Sequence, residues 1–448
     1  MRTSFLPPAV LLPVVLLVMS LAAAQPVGLK GASVNTYFDF PVATDAALIS
    51  FDWDASDTLH YTVGDPNWGA KLAVYKQATP DDQLVFLSTD VWAGSQMLGI
   101  GDYMYFNDGG DLTRSESNYY MYEPVQADTV TPVLEHPYGM NLSGLASRNF
   151  NEFFASGTEV DWGPAALFYS TLDASGNLDD TPVKFAGIGE SPGPMTFDNA
   201  GNLYYAHGYV FGGAATVYRW DAAAVAAALA DPDTAALVPT GNEWATLPTP
   251  YDGATGITVD SHGNIYVTVT AWMSPSQLVV YTAGDASMFR LAEYEGRLES
   301  LRYRDNAVYF SCADGVFAFP LPQAIAATET LEIVVHAEQT ALFAIKTLGD
   351  VGTLNYQWYR VSEDEIDMPV GDNLPSYAIT AAPADSDAQF YCVVTDDNGS
   401  FESPTFTLEV LPPMPTTSRL PLLLCAALLV ILAALQLSRG IRLTRKTW

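Results

Sequence analysis

Cationic residues are scarce in this 448-residue chain: 19 Lys and Arg stand against 51 Asp and Glu. Only six of the 19 are lysine. A surface this acidic repels nucleic acid and anionic lipid, so neither is an expected partner. Cysteine is rarer still, at three. Cys425 sits in an apolar tail. Cys312 and Cys392 remain, 80 residues apart, and no disulfide is expected between them because they fall in different predicted domains. The five histidines, His60, His136, His207, His262 and His336, contain no pair spaced closely enough to suggest a zinc site. A disulfide scaffold and a zinc module are therefore set aside, and the core must come from chain length.

Long apolar runs are missing from the body of the chain and occur only at its ends. Residues 1–24 read as a signal peptide: Arg2, an apolar stretch from Ala9 to Met19, then Leu21-Ala22-Ala23-Ala24 before Gln25. The second run, Leu420 to Leu437, is followed at once by Arg439, Arg442, Arg445 and Lys446. Its eighteen residues span roughly 27 Å as a helix, enough for a bilayer core, and the basic end belongs in the cytoplasm. Removing Arg2 and the five cations from Arg419 onward leaves 13 cationic residues against all 51 carboxylates, a net charge of −38 on the exported part. That balance suits a saline or metal-rich envelope, or solubility alone.

The body repeats itself. Met195-Thr-Phe-Asp-Asn-Ala-Gly-Asn-Leu-Tyr-Tyr205 and Ile257-Thr-Val-Asp-Ser-His-Gly-Asn-Ile-Tyr-Val267 share one frame: an alternating run, Asp, a turn ending in Gly-Asn, and a second alternating run. This predicts two antiparallel strands with Gly201 and Gly263 supplying positive φ. Phe51 to Tyr61 fits the frame without a gap; Leu98 to Phe106, Leu301 to Phe310 and Leu145 to Ala155 fit with shortened or degenerate turns. A third strand follows each pair, at Leu72–Tyr75, Tyr119–Tyr122, Ala166–Tyr169, Thr216–Trp220, Leu278–Tyr281 and Val316–Phe319. The intervals between frames are 47, 47, 50, 62 and 44 residues, the period of propeller blades. The long interval holds an Ala-rich insert, Asp221 to Asp231, that predicts a helix capped by Asp221 and ended by Pro232. Residues 30–322 are therefore expected to form a six-bladed β-propeller, with seven blades the alternative, and residues 30–46 to add a strand that closes the ring.

Three resemblances follow from these residues. The two clean copies resemble NHL-type repeats. Residues 331–411 resemble a bacterial immunoglobulin-like domain, through Tyr356-Gln-Trp-Tyr359 for strand C and Asp385 to Thr395 for the turn into strand F. That likeness implies that Trp358 is the buried core tryptophan. Phe390 replaces the family's usual Tyr, and Ile345 stands where its second cysteine would be, so an apolar contact is expected in place of the disulfide. Residues 412–448, with Met414-Pro-Thr-Thr-Ser418, the apolar run and the basic end, are similar to IPTL-CTERM and PEP-CTERM sorting signals, although Arg419-Leu420 replaces that type's Trp-Gly. The likeness implies a Gram-negative surface protein and a sorting peptidase as a tail partner. The whole reads as an all-β chain: a propeller, a β-sandwich and one C-terminal transmembrane helix.

Catalytic chemistry is sparse. Gly189-Glu-Ser-Pro-Gly193 matches the Gly-x-Ser-x-Gly pattern, but Pro192 and a strand follow Ser191 where a nucleophile elbow needs a helix. Asp54, Asp198 and Asp260 recur at one frame position. Propeller lactonases hold a divalent ion with such groups, but here the position opens a turn, where Asp binds its own backbone. Asp396-Asp-Asn-Gly-Ser400 admits calcium or, as expected, a hairpin with Asn398-Gly399 as its turn. Trp53 has the inward parity of its strand. Trp68, Trp92 and Trp272 fall in predicted loops and are the candidate residues for stacking on a sugar or peptide. No catalytic, metal or cofactor residue is assigned. The expected function is a noncatalytic surface protein binding a sugar, peptide or surface protein, anchored through Leu420–Leu437. The alternative is a propeller enzyme of metal-dependent lactonase or lyase type acting on envelope or extracellular sugars.

Overall fold

The computed structural model describes residues 25–414, apart from the short segments 41–45, 66–68, 79–80, 112–117, 125–126, 136–143, 160–162, 180, 211–213, 272–273, 285 and 363–365. The signal peptide and the C-terminal run read from the sequence lie outside the described residues. Among those that are described, no helix is long and apolar enough to cross a membrane. The chain divides into two compact units, one reaching Ile325 and including Thr347–Gly352, the other formed by the remainder from Ala326.

The first unit holds six antiparallel sheets, consistent with propeller blades. The first comprises Ala47–Trp53, Leu59–Gly64, Leu72–Lys76 and Gln83–Ser88; the second, Val91–Ile100, Tyr103–Asp111, Asn118–Glu123 and Ala127–Glu135; the third, Gly144–Ala146, Glu152–Thr158, Ala165–Thr171 and Val183–Gly187. The fourth comprises Met195–Phe197, Leu203–Ala206, Thr216–Trp220 and Glu243–Thr246; the fifth, Gly253–Val259, Ile265–Thr270, Ser276–Tyr281 and Met288–Tyr294. The sixth takes only Leu298–Arg304, Ala307–Cys312 and Gly315–Pro320 from its own stretch of chain. Its fourth strand is Asn35–Asp39, which pairs Gly315–Ala318 and is the expected closing strand. Every frame read from the sequence coincides with the first two strands of a sheet. The first strand of each sheet packs against the first strand of the next, and that of the sixth packs against that of the first.

The local causes are the expected ones. Alternating residues pair across each frame, as in Met195↔Tyr205 and Ile257↔Val267. Gly201 and Gly263 turn the corner at φ +83° and +82°, where any side chain is strained. The helix Ala222–Ala230 begins at Asp221, whose carboxylate accepts the Ala224 N–H, and Pro232 opens the short turn that follows. Val27–Gly28 adds a fifth strand to the fifth sheet, a pairing too short to leave a sequence pattern. Thr347–Gly352, inside the stretch expected to form the second domain, belongs to the first unit, because Leu348 is buried in the core with Leu298 and Phe319.

The second unit, by itself, sets the strand Thr340–Leu348 as far as Lys346 against Ser376–Thr380 as one paired layer and Glu332–His336, Phe406–Leu411, Ala388–Asp396, Asn355–Arg360 and Met368–Val370 as another. Phe343 and Tyr377 of the first layer meet Trp358, Phe390 and Phe406 of the second at ring-centroid distances of 4.6–6.4 Å. Trp358 is fully buried directly opposite Cys392, and Ile345 is buried as well. The Asp396 hairpin exists, but its turn is Asp397-Asn398, one residue earlier than read, since Gly399 already pairs with Asp396.

Candidate functional site

The innermost strands define the ring axis, and the protein's own groups occupy it. Gln96 of the second sheet is buried and donates from Nε2 to the Thr255 carbonyl of the fifth sheet at 3.4 Å. Sheets two and five face each other across a ring of six, so this bond spans the axis. Nearby, Asp52 of the first sheet accepts from Arg302 Nε of the sixth at 2.9 Å and from the Gly99 N–H of the second at 3.1 Å. Arg302 also donates to the Met97 carbonyl. One ion pair thus ties three neighbouring sheets. Glu299, on the innermost strand of the sixth sheet, has its carboxyl pushed upward by burial, an effect opposed by Arg297 at 3.0 Å.

Hydroxyl staples join the sheets. Ser156 donates to the Gly193 carbonyl at 2.5 Å, Thr268 to Glu299 O at 2.9 Å, and Ser311 to Ile49 O at 2.8 Å, each from one sheet to the innermost part of the next. Thr62 stands at the same place in the first sheet and accepts the Ser50 N–H. All four are buried hydroxyls. Opposite Thr268 stands Gly256, where a Cβ would lie 2.6 Å from Glu299 O, so only glycine permits the approach. The signal was present in the sequence: Ser or Thr immediately follows the frames ending at Tyr61, Ala155, Val267 and Phe310.

The recurrent aspartates serve their own turns. Asp198 accepts the N–H groups of Ala200 and Asn202 at 2.9 Å on one oxygen and Asn202 Nδ2 at 2.7 Å on the other. Asp260 repeats this with His262, Asn264 and Asn264 Nδ2, and adds the Tyr266 hydroxyl at 3.1 Å. Asp54 binds Ser56 and Thr58, and its second oxygen meets His60 Nε2 at 3.0 Å. His60 Nδ1 in turn meets the Tyr122 hydroxyl of the second sheet at 2.7 Å. Burial raises the Asp54 carboxyl, but the bonds from His60, Thr58 and Ser56 outweigh it and hold it below the usual range. This buried relay pins two sheets. Among the described residues, no three His, Cys, Asp or Glu side chains gather in a way that would hold a metal ion.

Trp68 and Trp272 lie outside the described residues. Trp92 stands in the strand Val91–Ile100, not in a loop, because that strand begins seven residues ahead of its frame. Trp53 is core, its ring set against Phe51 and Tyr309. Ser191 forms a bridge with Tyr209 behind Gly189 at φ +84° and Glu190 at φ +53°, and a strand rather than a helix follows. Sequence reasoning missed His207, which is buried where the fourth and fifth sheets meet. Its Nδ1 accepts the Thr216 N–H at 3.4 Å, which leaves the proton on Nε2, an atom without a partner among the described residues. Burial lowers its basicity, against a smaller opposing effect of Glu190.

No family model matches the chain, and neither does any curated protein. Solved structures that resemble it include the extracellular domain of the hybrid two-component system BT3049 from B. thetaiotaomicron, at 10% identity over 88% of this chain and 54% of that one, TM-score 0.37. Others are virginiamycin B lyase from Staphylococcus aureus, at 9% identity over 64% of this chain and 100% of that one, TM-score 0.37, and fructan 1-exohydrolase IIa from Cichorium intybus, at 9% identity over 87% and 94%, TM-score 0.31. This chain spans about half the length of the first of them. The sheet order and strand register, not these distant likenesses, carry the description of the fold.

Proposed function

We propose that the chain is a noncatalytic bacterial cell-surface protein. Its six sheets act as a closed, NHL-like six-bladed propeller that binds a sugar, peptide or surface protein. An immunoglobulin-like domain serves as the stalk. The apolar run Leu420–Leu437 holds the chain in the envelope until a sorting peptidase acts on the tail. The observation that supports a binding role is the occupation of the axis: Gln96 reaches Thr255 O across it, and Arg302 is spent on Asp52 and Met97 O. The recurrent carboxylates are likewise engaged by their own turns, so the face loops are the surface left for a ligand. Deleting residues 420–448 should release the protein from membranes into the periplasm or medium, and retention in the membrane fraction would contradict the anchor. The second reading, a metal-dependent lactonase or lyase, draws on the raised carboxyl of Glu299 beside the axis. It predicts lactone turnover that needs a divalent ion and is lost in Glu299→Gln; the binding reading predicts no turnover.

A further inference from the structure

The third sheet carries an open cleft of about 630 Å³. It lies between the turn Ser147–Asn151, which joins that sheet's first two strands, and the end of its third strand, with Phe150, Asn151, Tyr169, Thr171 and Leu172 in its wall. Phe150 is 75% exposed, the second most exposed large apolar side chain among those described, and it leans on the backbone of Gly101, where a Cβ would lie 3.3 Å from its ring. Exposure of a whole phenyl ring is unfavourable unless something covers it. Around it stand three hydrogen-bonding groups with no partner among the described residues: the Asn151 amide, the Tyr169 hydroxyl and the Thr171 hydroxyl. The one carboxylate in the wall is already neutralised. Glu152 accepts from Arg148 Nε at 2.9 Å, from Arg148 Nη2 at 2.5 Å and from Asn149 Nδ2 at 2.8 Å. Arg148 itself lies over the rings of Phe154 and Phe197 and is not free to meet an anion.

We propose that this cleft binds a neutral sugar. This site rests on the binding reading above and gives it a ligand class. A pyranose presents one face of C–H groups, which the negative face of the Phe150 ring attracts, and an edge of hydroxyls, which amide and hydroxyl partners satisfy. A cationic peptide would find no unpaired carboxylate in the wall, and an anion would meet a protein of net charge −32. The volume falls within the range of small-ligand sites and suits one or two rings.

The test is saturation-transfer NMR on the full-length protein with maltose, cellobiose, xylobiose and chitobiose as probes and tetralysine as a control. At least one disaccharide should bind. Phe150→Ala should weaken it about tenfold, and Asn151→Ala should weaken it as well, with unchanged melting temperatures because both side chains are exposed. Sugar binding that survives Phe150→Ala but is lost in Trp272→Ala would overturn this site and leave the binding reading intact. Binding of tetralysine alone would overturn the ligand class, and no binding by any disaccharide would overturn the proposal outright.

Discussion

Replacing Asp260 by alanine tests whether the repeated aspartate builds a turn or holds an ion. Its carboxylate takes four hydrogen bonds: from the His262 N–H at 2.8 Å, the Asn264 N–H at 2.9 Å, Asn264 Nδ2 at 2.8 Å and the Tyr266 hydroxyl at 3.1 Å. The residue is 3% exposed, so the abandoned donors regain water poorly. At about 1 kcal/mol net for each bond, the loss is about 4 kcal/mol. The damage should spread, because Asn264 also accepts the Ala283 N–H of the next turn at 3.0 Å. Asp198→Ala removes three bonds at a more exposed turn and should cost about 2–3 kcal/mol. Urea unfolding followed by circular dichroism, in EDTA and in millimolar calcium, measures both variants. The wild-type midpoint should not respond to calcium. A loss below about 1 kcal/mol for Asp260→Ala, or a wild-type midpoint that falls in EDTA while that of the variant does not, would refute the turn reading.

Four further outcomes are expected. Tyr122→Phe removes the hydroxyl that meets His60 Nδ1 in a buried relay and should cost about 1–2 kcal/mol by thermal unfolding. The lowered carboxyl of Asp54 contributes stability that is present above its ordinary value of 3.8 and lost as pH falls toward its folded value, so Asp54→Asn should flatten the acid limb of a melting-temperature profile. His207 binds a proton less readily folded than unfolded, so its contribution is present above pH 6.5 and lost as pH falls below that, and His207→Gln should flatten the profile below pH 6.5. Cys312 and Cys392 are free and buried, their thiols pushed up to about 11 and about 12 mainly by burial, so Ellman's reagent at pH 8 should label them only after denaturation.

Much of the fold was legible because the frame is local. Period-two alternation, a turn-opening Asp and a Gly at positive φ lie within eleven residues of one another, and each copy marked a sheet. The inserted helix at Ala222–Ala230 and the closing strand Asn35–Asp39 were legible for similar reasons of cap and position. What was not legible is long-range. Gln96 meets Thr255 across 159 residues, and Arg302 meets Asp52 across 250. No spacing announces either. Trp92 was misplaced because its strand starts well before the frame and bulges between Val91 and Ala93. The exposed ring of Phe150 belongs to a turn whose degenerate frame hid it, and its cleft needs Leu172 from the far end of another strand. The hydroxyl staples fall between these cases: their residues immediately follow four of the six frames, and only the packing gives them a role.

A crystal structure of the full-length protein soaked with the tightest-binding disaccharide tests the central claim, that ligands meet a face while the protein's own side chains fill the axis. The account predicts sugar density against Phe150 and Asn151, with Gln96 still bonded to Thr255 O and Arg302 to Asp52. Density on the axis, with Gln96 swung away from Thr255, would contradict it.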